Sequence, residues 1–401
     1  MAARTGWRQR WRSGQSGSTP TTSSILPFPS VGSARRVLAG TSVRRASTGS
    51  ANPKASSSRF RRADSVDSVQ SVTGPIAPAQ LGVTLPHEHV YINMTRTTPQ
   101  DGYLNVADEI ATELDLFVAA GGSTLIDMTN GELSDYAAPI GWSNDQRAMQ
   151  QNPDTGSRSV ANVLSTKQMS ERTGVQIILG TGHYYGKYLD ANWFDRNSTN
   201  KIADYLVQDL MDEIPGTGVR AGVIGEIASD LSHISALEER SFRAAARASR
   251  ETGAMVSTHA ATFPTGLAQL EIMEEEGVDP SRVVIGHADT VKSVDYSLEL
   301  LKRGAFVEFD CLMTCRVGGE IVRPQIDRRI AYLQAVIEAG YAERILLSQD
   351  ICARSNLRTL GGPGYTFVLQ EFRAIAVEAG IDPDILRSIS TDNPRAAVFG
   401  A

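Results

Sequence analysis

The sequence predicts an α/β protein: a (β/α)8 TIM barrel over residues 75–401, preceded by a disordered basic extension over residues 1–70. Two observations predict the barrel. Eight short apolar runs alternate with segments of helical period, as in a parallel sheet that helices cover on its outer face. Together they occupy about 310 residues, the size of such a barrel with modest insertions. The sequence also lacks the glycine-rich phosphate loop that a doubly wound open sheet usually carries after its first strand.

The eight apolar runs have the length and composition of buried parallel strands. In the third run, for example, Gln176 is followed by Ile177, Ile178 and Leu179, and flanking helices bury such runs on both faces. In chain order the predicted strands are Gly82–Val90, Ser123–Thr129, Val175–Thr181, Ala221–Ile227, Ala254–His259, Arg282–His287, Ala305–Asp310 and Ile345–Asp350.

The segments between the runs carry helix signals. Ala107–Ala120 repeats its apolar residues three and four positions apart, and two glycines follow it. Ser235 and Glu238 have the spacing of a capping box, which marks a helix start. Further helices are predicted over Val294–Gly304, Arg328–Gly340 and Tyr365–Gly380.

Residues 1–63 differ in charge from the rest of the chain. They contain eleven arginines, one lysine and no acidic residue, a charge of +12, so the remaining residues carry −18 of the net −6. An extension rich in arginine and serine and free of acidic residues is typical of a mitochondrial transit peptide. A solvated tail or an upstream extension from a misplaced start codon are the alternatives. The predicted location is the cytoplasm, or the mitochondrion if these residues are a transit peptide.

The composition disfavours a membrane or nucleic-acid partner. No apolar run reaches the roughly 18 residues of a membrane-spanning helix, so no membrane partner is expected. The acidic body does not favour nucleic-acid binding. Cys311, Cys315 and Cys352 are too few for a disulfide framework, which fits a reducing compartment.

Four of the six histidines stand at the ends of predicted strands: His87 and His89 on the first run, His259 on the fifth and His287 on the sixth. In a parallel barrel these ends converge on one face, where active sites are built. Because residues two apart in a strand point to the same side, both histidines of the first run can face the barrel axis. Clustered imidazoles indicate a transition-metal site, with zinc as the expected ion.

Two carboxylates end predicted strands in the same way, Glu226 on the fourth run and Asp350 on the eighth. Burying an unpaired carboxylate costs free energy, which metal coordination would offset; the alternative role is a helix N-cap. Four histidines and two carboxylates exceed the needs of one four-coordinate zinc. They suit two divalent metal ions that a carboxylate and a hydroxide bridge.

Five motifs surround these residues: Thr84–His89, Gly222–Ile227, Ser257–His259, Ile285–Asp289 and Leu347–Asp350. In their order and spacing they resemble the phosphotriesterase family of the amidohydrolase superfamily, over about residues 75–400. Glu226 stands where many members carry a carboxylated lysine, and a glutamate there resembles the branch of phosphotriesterase-related proteins.

The resemblance implies that His87, His89 and Asp350 hold a buried metal and that His259 and His287 hold an exposed metal. Glu226 would bridge the two metals. It also implies that Asp350 accepts the proton of the bridging hydroxide as the hydroxide attacks. Asp289 would orient a ligand or pass a proton outward, or else cap a helix. Members of the family are often dimers, so a homodimer is expected.

Substrate contacts are predicted on three loops. Tyr184 falls where the family places an aromatic pocket wall, and His183 beside it would contact substrate or only pack. Cys311 follows the seventh run, where phosphotriesterases proper have histidine and the lactonase branch has arginine, so this position favours neither activity. Arg354 would meet an anionic substrate or lie in a solvated loop.

The predicted function is therefore hydrolysis of an amide, ester, lactone or phosphoester bond by a metal-bridging hydroxide, and the partner expected of such a hydrolase is a small-molecule substrate. The resemblance to the related-protein branch favours an amide or ester. The alternatives are a metal-binding barrel without catalysis and a true organophosphate phosphotriesterase. A Schiff-base aldolase on the same barrel is disfavoured because none of the eight runs ends in lysine.

Overall fold

Eight parallel strands form the barrel in a computed structural model, which describes residues 67–134, 151–229 and 232–400. The strands follow one another around the sheet in chain order, as right-handed β-α-β connections produce. The predicted (β/α)8 fold is confirmed. The strands are β1 Thr84–Glu88, β2 Thr124–Asp127, β3 Gln176–Thr181, β4 Val223–Ala228, β5 Val256–His259, β6 Val283–Gly286, β7 Phe306–Phe309 and β8 Ile345–Leu347.

The barrel closes between β8 and β1 through hydrogen bonds at their carboxyl ends. The amide of Asp350 donates to the carbonyl of His87 at 3.3 Å. The amide of His87 in turn donates to the hydroxyl of Ser348 at 3.2 Å. Side-chain and backbone contacts thus complete the ring just beyond the last residue of β8.

Helices cover the outside of the barrel. The predicted capping box is confirmed, because the Ser235 side chain accepts the amide of Glu238 and the Glu238 carboxylate accepts the amide of Ser235. No helix of the described residues is long and apolar enough to cross a membrane. The helices are α1 Ala107–Ala119, α2 Val160–Thr173, α3 Ala191–Arg196, α4 Thr199–Met211, α5 Ala236–Thr252, α6 Gly266–Glu275, α7 Val294–Lys302, α8 Arg323–Glu338, α9 Arg373–Glu378 and α10 Pro383–Phe399.

A short antiparallel hairpin, Val69–Ser71 paired with Gly74–Ile76, precedes the first barrel strand. Its turn is tied to β3, since the amide of Val72 donates to the carbonyl of Ile177 at 2.8 Å. The hairpin begins before residue 70, so the predicted boundary of the extension lies too far along the chain. The rest of the predicted extension, residues 1–66, lies outside the described residues.

Side chains on opposite faces of the strands belong to two different apolar clusters. On β3, Ile177 and Leu179 pack in the cluster that contains the helix residues, whereas Ile178 belongs to a second cluster. Because neighbouring strand residues point to opposite faces, this second cluster fills the inside of the barrel. It also contains Val69 and Ile76 of the hairpin, which therefore packs against the amino-terminal end of the barrel. The carboxyl ends of the strands are left for the site.

Candidate metal centre

The six predicted ligands lie together at the carboxyl ends of the strands. Five of them form two groups of three whose ligand atoms within each group lie within 4.8 Å of one another, and the two groups share one carboxylate. The sharing residue is Glu226 of β4. The first group is His87, His89 and Glu226, and the second is Glu226, His259 and His287.

The first group is extended by Asp350, which follows β8. The Nε2 atom of His89 lies 3.2 Å from Asp350 Oδ1 and 3.7 Å from Glu226 Oε1. His87 Nε2 lies 3.4 Å from Glu226 Oε2. Both imidazoles therefore face the carboxylates inside the barrel mouth, as the period-two spacing of the two histidines predicts.

The second group brings two imidazoles onto the same carboxylate oxygen. His259 Nδ1 lies 2.9 Å from Glu226 Oε2, and His287 Nε2 lies 3.3 Å from the same atom. The two ring nitrogens are themselves only 2.7 Å apart. Two nitrogen lone pairs repel each other at that distance, so a shared proton or a cation must lie between them.

The donor set fits divalent metal ions such as zinc. His87 Nε2 is buried and makes no hydrogen bond within the described part of the chain, and a buried polar atom without a partner is costly. Coordination would satisfy this atom. Although burial raises the pKa of Glu226, the imidazoles of His87 and His259 hold that pKa well below its ordinary value. An ionised carboxylate between two histidine groups is the ligand that two cations can share.

Backbone strain is concentrated at this end of the barrel. Among the described residues, the non-glycine residues with positive φ are Thr262 at 68°, His287 at 58° and Asp350 at 57°. The left-handed conformation costs an ordinary residue about 1–2 kcal/mol. Two of the three, His287 and Asp350, are predicted ligands. Strained backbone conformations of this kind are concentrated at functional sites, where the surrounding structure holds them in place.

Asp310, directly after β7, supports one histidine of each group. Its carboxylate lies 2.8 Å from His287 Nδ1 and 3.2 Å from His87 Nδ1. Burial raises the pKa of Asp310, but the neighbouring His287 and His87 lower it well below its ordinary value. Holding both Nδ1 atoms leaves both Nε2 atoms directed at Glu226, which is how a carboxylate fixes the tautomer of a metal-ligating histidine.

Asp310 is not among the predicted ligands, although the sequence carries a signal for it. Asp310 is an acidic residue that ends a predicted apolar run, the pattern that singled out Glu226 and Asp350. A second buried carboxylate, Glu308 within β7, lies 3.4 Å from His87 Nδ1, and burial raises its pKa to about 7.

Comparison with known proteins identifies the fold family. The sequence profile of the phosphotriesterase family matches residues 67–150 and 154–398. The chain belongs to the phosphotriesterase family. The phosphotriesterase homology protein of Escherichia coli strain K12 is 30% identical over 320 residues, which are 78% of this chain and 96% of that protein.

Other relatives in the phosphotriesterase family are named for the bonds they cleave. N-acetyltaurine hydrolase of Dictyostelium discoideum is 26% identical over 370 residues, 82% of this chain and 97% of that protein. The crystal structure of a lactonase from Listeria monocytogenes superposes with a TM-score of 0.69 at 25% identity, covering 83% of this chain and 98% of the lactonase. This chain is accordingly a hydrolase of the phosphotriesterase family.

Tyr184, the predicted pocket wall of this phosphotriesterase-family site, lies against the second group. Its hydroxyl is 3.4 Å from His259 Nδ1, and the two rings meet edge to face at 5.3 Å. Burial raises the pKa of Tyr184 well above its ordinary value, so the phenol keeps its proton. The neighbouring His183 pairs with Glu132 at 2.7 Å and packs on Trp193. His183 was predicted to contact substrate or only to pack, and these contacts show that it packs.

Cys311 and Asp289 line the site behind His287. The Cys311 sulfur lies 3.3 Å from His287 Nδ1, and burial raises the pKa of this thiol. Asp289 is buried, accepts the amide of Cys311 and pairs with the guanidinium of Arg329 at 2.5 Å. The structure therefore places Asp289 in an ion pair, and its predicted role in proton transfer stays a prediction.

Arg354, the predicted contact for an anionic substrate, lies in the loop after β8. Its guanidinium forms an ion pair with Glu109 of α1, and its side chain is half exposed. The side chain is thus occupied by a surface contact, as expected for the solvated-loop alternative. A contact between Arg354 and substrate stays a prediction.

Proposed function

We propose that this protein is a binuclear metal-dependent hydrolase that cleaves an amide or ester bond of a small molecule. The observation that carries the proposal is the pair of three-residue groups that share Glu226. His87, His89 and Asp350 would hold one cation, His259 and His287 the other, and Glu226 both. Zinc fits this mixture of nitrogen and oxygen donors. When bound, two such cations would lower the pKa of a water molecule between them and polarise the oxygen of the bond to be cleaved.

Asp350 is the carboxylate best placed to take a proton from the attacking water. Its side chain is 10% exposed, whereas that of Glu226 is 2% exposed and that of Asp310 is fully buried. A general base must reach the proton that it accepts, and Asp350 alone of the three faces the mouth of the barrel to this degree. Its backbone is left-handed, with φ at 57°, and its carboxylate lies 3.2 Å from His89 Nε2.

The neighbouring side chains favour an uncharged group beside the second cation site. Tyr184 contributes a protonated phenol next to His259, and Cys311 contributes a protonated thiol next to His287. Neither provides the positive charge that an anionic phosphomonoester or phosphodiester would call for at this place, whereas an uncharged amide, ester or phosphotriester needs none. The amide-cleaving relative N-acetyltaurine hydrolase supports an amide as the first substrate class to test.

Substitution Asp350→Asn tests the proposal. We expect a fall in kcat of at least about a hundredfold, because a general base contributes roughly 10²–10⁴ in rate. The substrates screened are amides, esters, lactones and phosphotriesters with zinc-loaded protein, and bound metal is measured by elemental analysis. The exposed Asp195 of α3 gives the matched control Asp195→Asn, which should behave as wild type.

Two results would contradict the proposal. One is a loaded protein with no bound divalent metal per chain. The other is an Asp350→Asn variant that turns over its substrate at the wild-type rate. The homodimer and the location in cytoplasm or mitochondrion remain part of the proposal; sedimentation equilibrium and imaging of the full chain test them.

A further inference from the structure

Glu88 lies between two predicted ligands in the sequence, but its carboxylate binds the segment that follows a different strand, β8. Its neighbours His87 and His89 face the centre, so strand alternation turns Glu88 away from it. The side chain is fully buried. Its carboxylate accepts three hydrogen bonds, all from the segment that follows β8: from the Ser348 hydroxyl at 2.6 Å, the Gln349 amide at 2.8 Å and the Ile351 amide at 2.9 Å.

The two amides that Glu88 holds are those on either side of Asp350. Oε1 accepts the amide of Gln349, and Oε2 accepts the amide of Ile351. Strand β8 ends at Leu347, and beyond it single backbone hydrogen bonds, such as the one from the Asp350 amide to the His87 carbonyl, take the place of continuous sheet pairing. Asp350 itself has φ at 57°, a conformation that an aspartate adopts only at a cost. Without a restraint on both flanking peptide groups, the segment would relax and its carboxylate would move.

We propose that Glu88 is a positioning residue that holds the Asp350 carboxylate in its reactive orientation. The inference rests on the proposed role of Asp350. A carboxylate is suited to this task because both of its oxygens accept hydrogen bonds. A glutamine of the same shape has one acceptor oxygen, and its amide nitrogen would face one of the two backbone N–H groups.

The test is Glu88→Gln in the zinc-loaded full chain, with a substrate found in the screen described above. We expect kcat to fall about tenfold with KM within about twofold of wild type, because misplacing a catalytic group by a fraction of an ångström affects the chemical step. A second readout is metal affinity, measured by competition with a chelator. It should weaken about tenfold, since Asp350 is also a ligand.

Glu113 provides a matched control. It is a buried carboxylate on α1 that also accepts a backbone amide from the loop after β8, that of Thr359 at 2.8 Å. Glu113→Gln likewise removes a buried negative charge that contacts the loop after β8, but it leaves the peptide groups beside Asp350 unchanged. We expect its kcat and its metal affinity to remain within about twofold of wild type.

A double variant separates positioning from a general loss of structure. If Glu88 acts through Asp350, adding Glu88→Gln to Asp350→Asn should lower kcat by less than about a further twofold. A full additional tenfold loss would overturn the inference, and so would a Glu88→Gln variant with wild-type kcat. If Asp350→Asn itself were fully active, the proposed function would fail instead, so the two failures are distinguishable.

Should Glu88→Gln fail to fold, Ser348→Ala tests the same contact more gently. It removes the hydroxyl that donates to the Glu88 carboxylate, and with it the acceptor of the His87 amide, and leaves the Glu88 charge and both backbone hydrogen bonds to Glu88 in place. We expect a fall in kcat of about threefold with KM unchanged. An unchanged kcat in a folded Ser348→Ala variant would overturn the inference.

Discussion

At the scale of single residues, one carboxylate serves both halves of the candidate centre. Asp310 lies within hydrogen-bond distance of the Nδ1 atoms of His87 and His287, one histidine from each group. Its removal should therefore weaken both metal sites together. A residue that touched only one group would affect one site.

Substitution Asp310→Asn should lower the affinity for metal by about 10- to 100-fold, the usual effect of losing a carboxylate that orients ligating histidines. The asparagine nitrogen would face a ring N–H, and the charge that holds the two imidazoles would be lost. Chelator competition gives the affinity. Asp209→Asn, at a buried aspartate that contacts none of the six ligands, is the control and should leave the affinity unchanged. Wild-type affinity in Asp310→Asn would contradict this role.

The sequence could predict ligands that end apolar runs, because a strand end and a costly buried charge are both visible locally. Glu226 and Asp350 were predicted in this way, and Asp310 could have been. The partners of Glu88 could not. Alternation shows that its side chain turns away from the histidines, but its three donors lie about 260 residues away and meet it only because β8 closes against β1.

At the scale of elements, a buried carboxyl group joins α4 to the end of β3 and to the segment before α2. Asp209 accepts hydrogen bonds from the Thr181 hydroxyl at 2.6 Å and the Ser157 hydroxyl at 2.8 Å. Burial raises its pKa from 3.8 to about 6, although these hydrogen bonds act in the opposite direction. The folded chain therefore holds this proton more tightly than the unfolded chain does.

The free energy of unfolding should consequently carry a pH dependence from Asp209. Because the folded state binds more protons between pH 4 and 6, its contribution to stability falls as the pH rises through this range, by about 1–3 kcal/mol. Asp209→Asn cannot titrate and should lack that loss. Urea unfolding of both metal-free proteins at several pH values measures it. Parallel stability curves for the two proteins would contradict the prediction.

Elements were predicted best where the local signal was strong. Seven of the eight predicted runs contain the observed strand in full, and β4 extends one residue past its run, to Ala228. The agreement is close because each run is a short apolar segment between helical stretches. The helix predicted over Tyr365–Gly380 is less regular: a π-helical turn, Val368–Phe372, precedes α9. Such a turn shifts one hydrogen bond from four to five residues back, and residue types alone do not indicate it.

At the scale of the whole molecule, metal binding should add to the stability of the barrel. The ligands come from β1, β4, β5, β6 and the end of β8, so they converge only in the folded chain. Binding to the folded state alone raises the free energy of unfolding by about 2.7 kcal/mol when free metal is a hundredfold above its dissociation constant.

Calorimetry of the zinc-loaded and chelator-treated protein tests this coupling. We expect a Tm several degrees higher with zinc and rising with its concentration. Glu226→Ala should abolish most of the increase, because it removes the ligand that both groups share. A Tm independent of zinc in the wild-type protein would show that the six side chains do not hold metal in the folded state.

The hairpin of residues 69–76 and the apolar side chains within the barrel have a kinetic consequence. Among the described residues they fill the amino-terminal end, which leaves the carboxyl end of the strands as the side from which the candidate centre is reached. Substrate binding and product release then share this route, and a product that dissociates slowly blocks the next substrate. Each turnover therefore includes product release as a separate kinetic step that precedes the binding of the next substrate.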